Sequence, residues 1–181
     1  LRERLPGFAS AALGRYASAV YVRETRHFAG VERLTADAVW NGRIPDDTIG
    51  LSSYPLDLHP VTANDRLAYA PARHVYGVPF GALVPRDLAN VILASPAISA
   101  THLASGSARV IPTTIEEGEA AGIAAALAER EHTTVGAIAH NADLIAEVRE
   151  ALRKSGVLLG YRAPERGMTS ATEQAQRARA R

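Results

Sequence analysis

Ser95-Pro96-Ala97-Ile98-Ser99-Ala100-Thr101-His102-Leu103-Ala104-Ser105-Gly106-Ser107-Ala108-Arg109-Val110-Ile111-Pro112-Thr113-Thr114-Ile115-Glu116-Glu117-Gly118 is the stretch on which the reading of this chain turns. It follows a short aliphatic run at 90–94, which reads as a strand buried on both faces because turn signals bound it. It leads into a helix. Thr114 and Glu117 fit a capping box, which predicts a helix from there to about Arg130. On that helix Gly118, Ala121, Gly122 and Ala125 fall at i, i+3, i+4 and i+7, so one face carries only very small residues. Each glycine costs roughly 0.8–1.0 kcal/mol against alanine in a helix interior. Two on one face therefore predict a close approach by a sheet backbone, another helix or a flat cofactor. The residues before the helix are dense in hydroxyls (Ser99, Thr101, Ser105, Ser107, Thr113) and include His102 and Arg109. A loop entering a helix N-terminus offers unpaired amides and the positive end of the helix dipole, a setting for negative charge.

Moving outward, 141–156 reads as a second helix, with Asn141 as N-cap, an apolar stripe of Leu144, Ile145, Val148 and Leu152, and Gly156 just past its end. An apolar patch at 157–159 follows. Upstream, 1–18 suggests a short helix, 19–25 a strand and 31–34 a second strand returning as a hairpin. Thr35 caps a short helix over 36–40, which Gly42 and Pro45 end. Strand pieces are expected at 48–51 and 54–59, a polar connection at 60–74, and an extended piece at 75–80, where Pro79 disfavours helix before it. A turn is expected at 84–87. The fold class is mixed α/β, with short strands first and two helices last.

Composition narrows the classes. The chain has 181 residues, 47% hydrophobic and 22% charged, as in an ordinary globular protein. No run of 18 apolar residues is present, so no membrane partner is expected. There is no cysteine, which excludes disulfides, thiolate metal sites and thiol nucleophiles in this segment and fits a cytoplasmic location. Net charge is +1. Five arginines against Glu165 and Glu173 put the positive surplus in the polar tail at 162–181, so no basic face and no nucleic-acid partner are expected.

The quoted stretch resembles a known family. Ile98-Ser99-Ala100-Thr101-His102, Gly106-Ser107-Ala108-Arg109-Val110, Pro112-Thr113 and Gly118-Glu119-Ala120-Ala121-Gly122 are similar to the C-terminal signature of FAD-dependent oxidoreductases of the glutathione-reductase-like superfamily. The likeness is to the bacterial family sometimes labelled xanthan lyase-like. Earlier motifs fall in the same order: Tyr21-Val22-Arg23-Glu24-Thr25-Arg26, Ile49-Gly50, Tyr54 to Pro60, and Val78-Pro79-Phe80. The resemblance covers roughly 19–160.

It implies the C-terminal half of an FAD/NAD(P)-binding fold. Residues 1–88 would belong to a substrate or cap domain, 89–160 would be the final strand and helix of the FAD domain with the helix after it, and 161–181 would be a polar tail. Ser107, Arg109, Val110, Pro112 and Thr113 would lie near the flavin, Gly118 and Gly122 would permit close packing, and His102 would be the catalytic acid or base. No metal is implied. Two positions depart from the family's pattern: Ser95-Pro96 stands where Gly-Arg is usual, and Ile111 stands for a methionine. No Gly-x-Gly occurs in the chain, so the pyrophosphate fingerprint is missing. With the leucine start, this leads to the expectation of a C-terminal portion whose FAD binding alone is weak or absent. Its partners would be a dinucleotide-binding N-terminal half or another copy of the chain, with a small organic substrate. The rival expectation is a standalone, non-catalytic, self-associating module that has lost FAD. A weaker third reading makes Asp57 and His59, which share a strand face, a metal-dependent hydrolytic pair. His27, His74, His132 and His140 show no ligand spacing.

Overall fold

A computed structural model describes residues 3–12, 14–19, 21–59, 68–70 and 75–161, with backbone alone at 68–70. The fold is mixed α/β. Its order is α1 (Ala36–Asn41), β1 (Thr48–Ser52), β2 (Leu56–Leu58), β3 (Ala68–Ala70), β4 (Tyr76–Pro79), α2 (His102–Ala108), α3 (Ile111–Arg130), α4 (Val135–Ile138) and α5 (Ala142–Lys154). A 3-10 turn, Phe80–Ala82, follows β4.

The strands form two antiparallel pairs. β1 lies against β4 with Gly50 opposite Val78 and Ser52 opposite Tyr76, and a register shift falls between Thr48 and Gly50. β2 lies against β3 with Asp57 opposite Tyr69. Of the connection expected over 60–74, residues 68–70 are therefore strand; the others lie outside the described residues, as does the tail at 162–181.

Local signals govern the ends of α1 and α5. Thr35 Oγ1 accepts the Ala38 amide, and Gly42 takes φ +66° just past the helix, a left-handed conformation that costs glycine little. Asn141 Oδ1 accepts the Asp143 and Leu144 amides, and Gly156 sits at φ +99° beyond α5. α5 buries Val148 and Leu152, and Arg149 Nε donates to the Thr48 carbonyl at 3.1 Å, tying the helix to β1.

Elsewhere the backbone departs from the sequence expectations. Residues 3–12 and 14–19 contain turns and no helix, and no strand ladder runs over 21–25. Among the described residues, 31–34 do not return as a hairpin on 21–25. Val31 and Glu32 donate to Val84 and Gly81, while Leu34 exchanges bonds with Ser99 and Thr101. Pairing with segments 50 and 65 residues away replaces the local turn because those partners sit in the core. The aliphatic run 90–94 is not a buried strand. It is irregular and partly exposed, with Val91 at 37%, and its Leu93 amide reaches the Leu83 carbonyl. The buried, paired backbone comes eight residues later, at 98–100, where Ser99 donates to Ala82 and accepts from Leu34.

The core gathers Leu34, Ile49, Tyr76, Val78, Phe80, Leu83, Ile98, Ala104, Ala120, Ala124, Ile138 and Leu152 in one cluster. Among the described residues no helix is long and apolar enough to cross a membrane.

Candidate functional site

The quoted stretch is a helix-turn-helix rather than a long loop. Thr101 Oγ1 accepts the Ala104 amide and starts α2, thirteen residues before the capping box expected at Thr114. α2 lies on β2 so closely that a Cβ on Gly106 would come within 2.9 Å of Leu58 Cδ2 and 3.1 Å of the Asp57 carbonyl. Val110 then breaks the chain and α3 begins at Ile111, with Pro112 in its first turn, where a missing N–H costs nothing. The capping box expected at Thr114–Glu117 does not form, because those residues already lie inside the helix. Thr114 Oγ1 donates to the Ile111 carbonyl instead, and Glu117 is buried.

The hydroxyls at this junction are used internally. Ser107 is fully buried and donates to the Tyr54 carbonyl, while the Tyr76 hydroxyl, 2.8 Å away, donates to Ser107 Oγ. Thr113 Oγ1 donates to Ser52 Oγ at 3.2 Å. Arg109 Nη2 donates to the Asp57 carbonyl at 2.7 Å and ties the end of α2 to β2. Val110 is half-buried; Ile111 and Pro112 are exposed, Ile111 by 75%.

α3 turns two unlike faces outward and inward. Thr113, Glu117, Ala120, Ala124, Leu127 and Ala128 are buried against β1 and α5. Gly118 and Gly122 lie on the opposite side, exposed, and a Cβ placed on either meets no atom within 4 Å. The small-residue face expected to receive a close neighbour therefore has none at Gly118 and Gly122 among the described residues. Ile115, 63% exposed, extends the same open side.

The inner face holds a feature the sequence did not disclose. Glu116 accepts the Leu51 amide and Glu117 the Ser95 amide, and the second oxygen of each, Oε2, is buried without a hydrogen-bond partner among the described residues. Burial pushes the Glu116 carboxyl up to about 7, with Glu119 adding to it, and the Glu117 carboxyl up to about 8, with Glu116 adding to it. Gly50 leaves room for this pair: a Cβ there would lie 2.1 Å from Glu116 Oε2. Desolvation also raises the Tyr76 phenol.

His102 stands at the first position of α2, 54% exposed at its side chain. Its Nδ1 is 2.9 Å from Glu24 Oε2, and Glu24 Oε1 is 2.8 Å from His27 Nε2. Nothing in the sequence signals this cluster, since Glu24 and His102 are 78 residues apart. Asp57 and His59 do approach each other, at 3.3 Å, but among the described residues no group of three His, Cys, Asp or Glu could hold a metal ion.

Comparison with known proteins adds one match. A family model described as FAD dependent oxidoreductase matches residues 1–152. No curated protein and no solved structure matches.

Proposed function

The chain belongs to the FAD-dependent oxidoreductase family, and from that premise we propose that it is the C-terminal portion of such an enzyme, placing the junction of α2 and α3 beside the flavin ring. The observation that carries this reading is the open side of α3. A 20-residue helix with a fully packed inner face exposes Ile111, Pro112 and Ile115 at its start and the bare backbone of Gly118 and Gly122 beyond them.

The residues present fit one part of the cofactor. The first-turn amides of Ile111 and Thr113 and the apolar side chains of Val110, Ile111 and Pro112 suit the edge and face of a flat ring, and the amino end of α3 favours negative charge placed there. Ser107, Thr113 and Arg109 support this platform from behind, through their bonds to Tyr54, Ser52 and Asp57. The ADP portion finds no cradle, since the chain has no Gly-x-Gly. FAD would therefore be held jointly with a dinucleotide-binding half that docks on the Gly118–Gly122 side, where small residues let a second backbone approach. When bound, flavin supplies hydride-accepting chemistry toward a small organic substrate. A cysteine-free, span-free segment of this kind suits the cytoplasm.

Co-expression with a dinucleotide-binding half carrying Gly-x-Gly-x-x-Gly tests this. The expected product is a yellow co-purifying assembly with flavin absorption bands. A stable assembly that stays colourless when FAD is added, or a colourless self-association of this chain that excludes the other half, overturns it.

A further inference from the structure

We propose that Glu24 is a positioning residue that makes His102 a proton acceptor, with His27 anchoring Glu24. The inference rests on the reading above for its reaction, and on the geometry of three side chains for its substance.

An ionised carboxylate only accepts hydrogen bonds. The Glu24 oxygens receive two: Oε2 from His102 Nδ1 at 2.9 Å and Oε1 from His27 Nε2 at 2.8 Å. Burial by itself would raise the Glu24 carboxyl, but the hydrogen bonds from His27 and His102 and their charges outweigh it and hold it below its ordinary value. The remaining nitrogen of His27, Nδ1, lies 2.9 Å from the Ile98 carbonyl, so both ring nitrogens of His27 are engaged. The neighbouring Phe28 amide donates to Ala97, which fixes the same strand of chain against the segment leading into α2. Glu24 is thus held from behind by a histidine that is 15% exposed, and offers its other oxygen to one that is 54% exposed.

The consequence falls on His102. With its proton on Nδ1 toward Glu24, its Nε2 keeps a lone pair. No hydrogen bond engages Nε2 among the described residues, and the backbone beneath is set by the Thr101 cap. Oxidising a hydroxyl-bearing substrate to a carbonyl removes a hydride from carbon and a proton from oxygen. The hydride belongs to the flavin class of oxidant in the reading above. The proton goes to His102: the O–H bond breaks as the Nε2–H bond forms, and Glu24 balances the imidazolium charge.

The test reads the tautomer directly. In 15N-labelled chain, the neutral-imidazole signals assigned with His102→Gln should show His102 protonated on Nδ1. Glu24→Gln, whose amide oxygen still accepts, should keep that tautomer. Glu24→Ala should shift it mainly to Nε2–H, with circular dichroism unchanged. An Nε2–H tautomer in the unaltered chain, or no change in Glu24→Ala, overturns the proposal whether or not FAD is ever bound. In the flavin-loaded assembly, Glu24→Ala should lower kcat for a hydroxyl substrate by about 10²-fold with KM nearly constant. A variant that keeps its flavin and its kcat also overturns it. An assembly that fails to load flavin counts against the preceding section alone.

Discussion

The two faces of α3 differ more than any other pair of regions in this molecule. One is packed with alanine and threonine and hides two carboxyls of raised affinity for protons; the other is bare glycine and exposed isoleucine. Both faces carry small residues, alanine inside and glycine outside, so small side chains alone did not choose between them. The inner face is inner because α3 must cover β1 and meet α5, and the alanines at 120 and 124 allow that approach. Small residues on a buried face serve packing inside the chain. The same residues on an open face have no such use, and the proposed dinucleotide-binding half would supply one.

The largest effect should come from the inner carboxyls. The raised value of about 8 for Glu117 against an ordinary 4.5 means that the unfolded chain gives up this proton first as pH rises. The group's contribution is complete below about pH 4.5 and is lost as pH climbs toward 8. Denaturant unfolding across that window should show a fall on the order of 4 kcal/mol beyond that of Glu117→Gln, whose side chain cannot ionise. Equal pH slopes in the two proteins would mean that the inner face does not hold a buried acid.

Next come paired insertions of bulk. Ala124→Leu on the fully buried side should destabilise by about 2–3 kcal/mol through overpacking. Gly122→Leu on the open side should leave the isolated chain slightly more stable, by about 0.7 kcal/mol, because it removes a helix-interior glycine and meets nothing. The same change should block the yellow assembly with the dinucleotide-binding half. Similar losses of stability in both variants would erase the contrast between the faces.

A smaller effect calibrates the scale. Asn141→Ala, which removes the cap of α5, should cost about 1 kcal/mol by chemical unfolding. Gly118→Ala is expected to stabilise the isolated chain by somewhat under 1 kcal/mol, read as a rise of a few degrees in Tm.

How much of this was legible in the sequence varies by element. α1 and α5 could be read nearly to the residue, because Thr35, Gly42, Asn141 and Gly156 act on amides and carbonyls within a few positions of themselves. The start of α3 lies four residues before the expected one, with Val110 rather than Thr114 as N-cap, since a Thr-x-x-Glu pattern looks the same inside a helix as at its end. The run at 90–94 misled because an aliphatic composition says nothing about whether a neighbouring strand is there to pair with it, and the buried backbone fell at 98–100 instead. Of the candidate site residues, those at 102–118 were singled out in one stretch of sequence, which reads as a loop before a helix and folds as two helices, while Glu24 and His27 carried no signal in their spacing.

By itself, then, the sequence determined the mixed α/β class, the caps of α1 and α5, the lack of thiols in this segment and a likeness to FAD-dependent oxidoreductases, the family matched over 1–152. Those properties follow from composition and from interactions spanning a few residues. The tertiary structure decided that Ser107 and Thr113 spend their hydroxyls on Tyr54 and Ser52, that Glu117 turns inward while Gly118 turns outward, and that Glu24 meets His102. In a helix of alanine, glycine and glutamate no strong apolar stripe points to the core, so only the arrival of β1 and α5 could choose which side was buried.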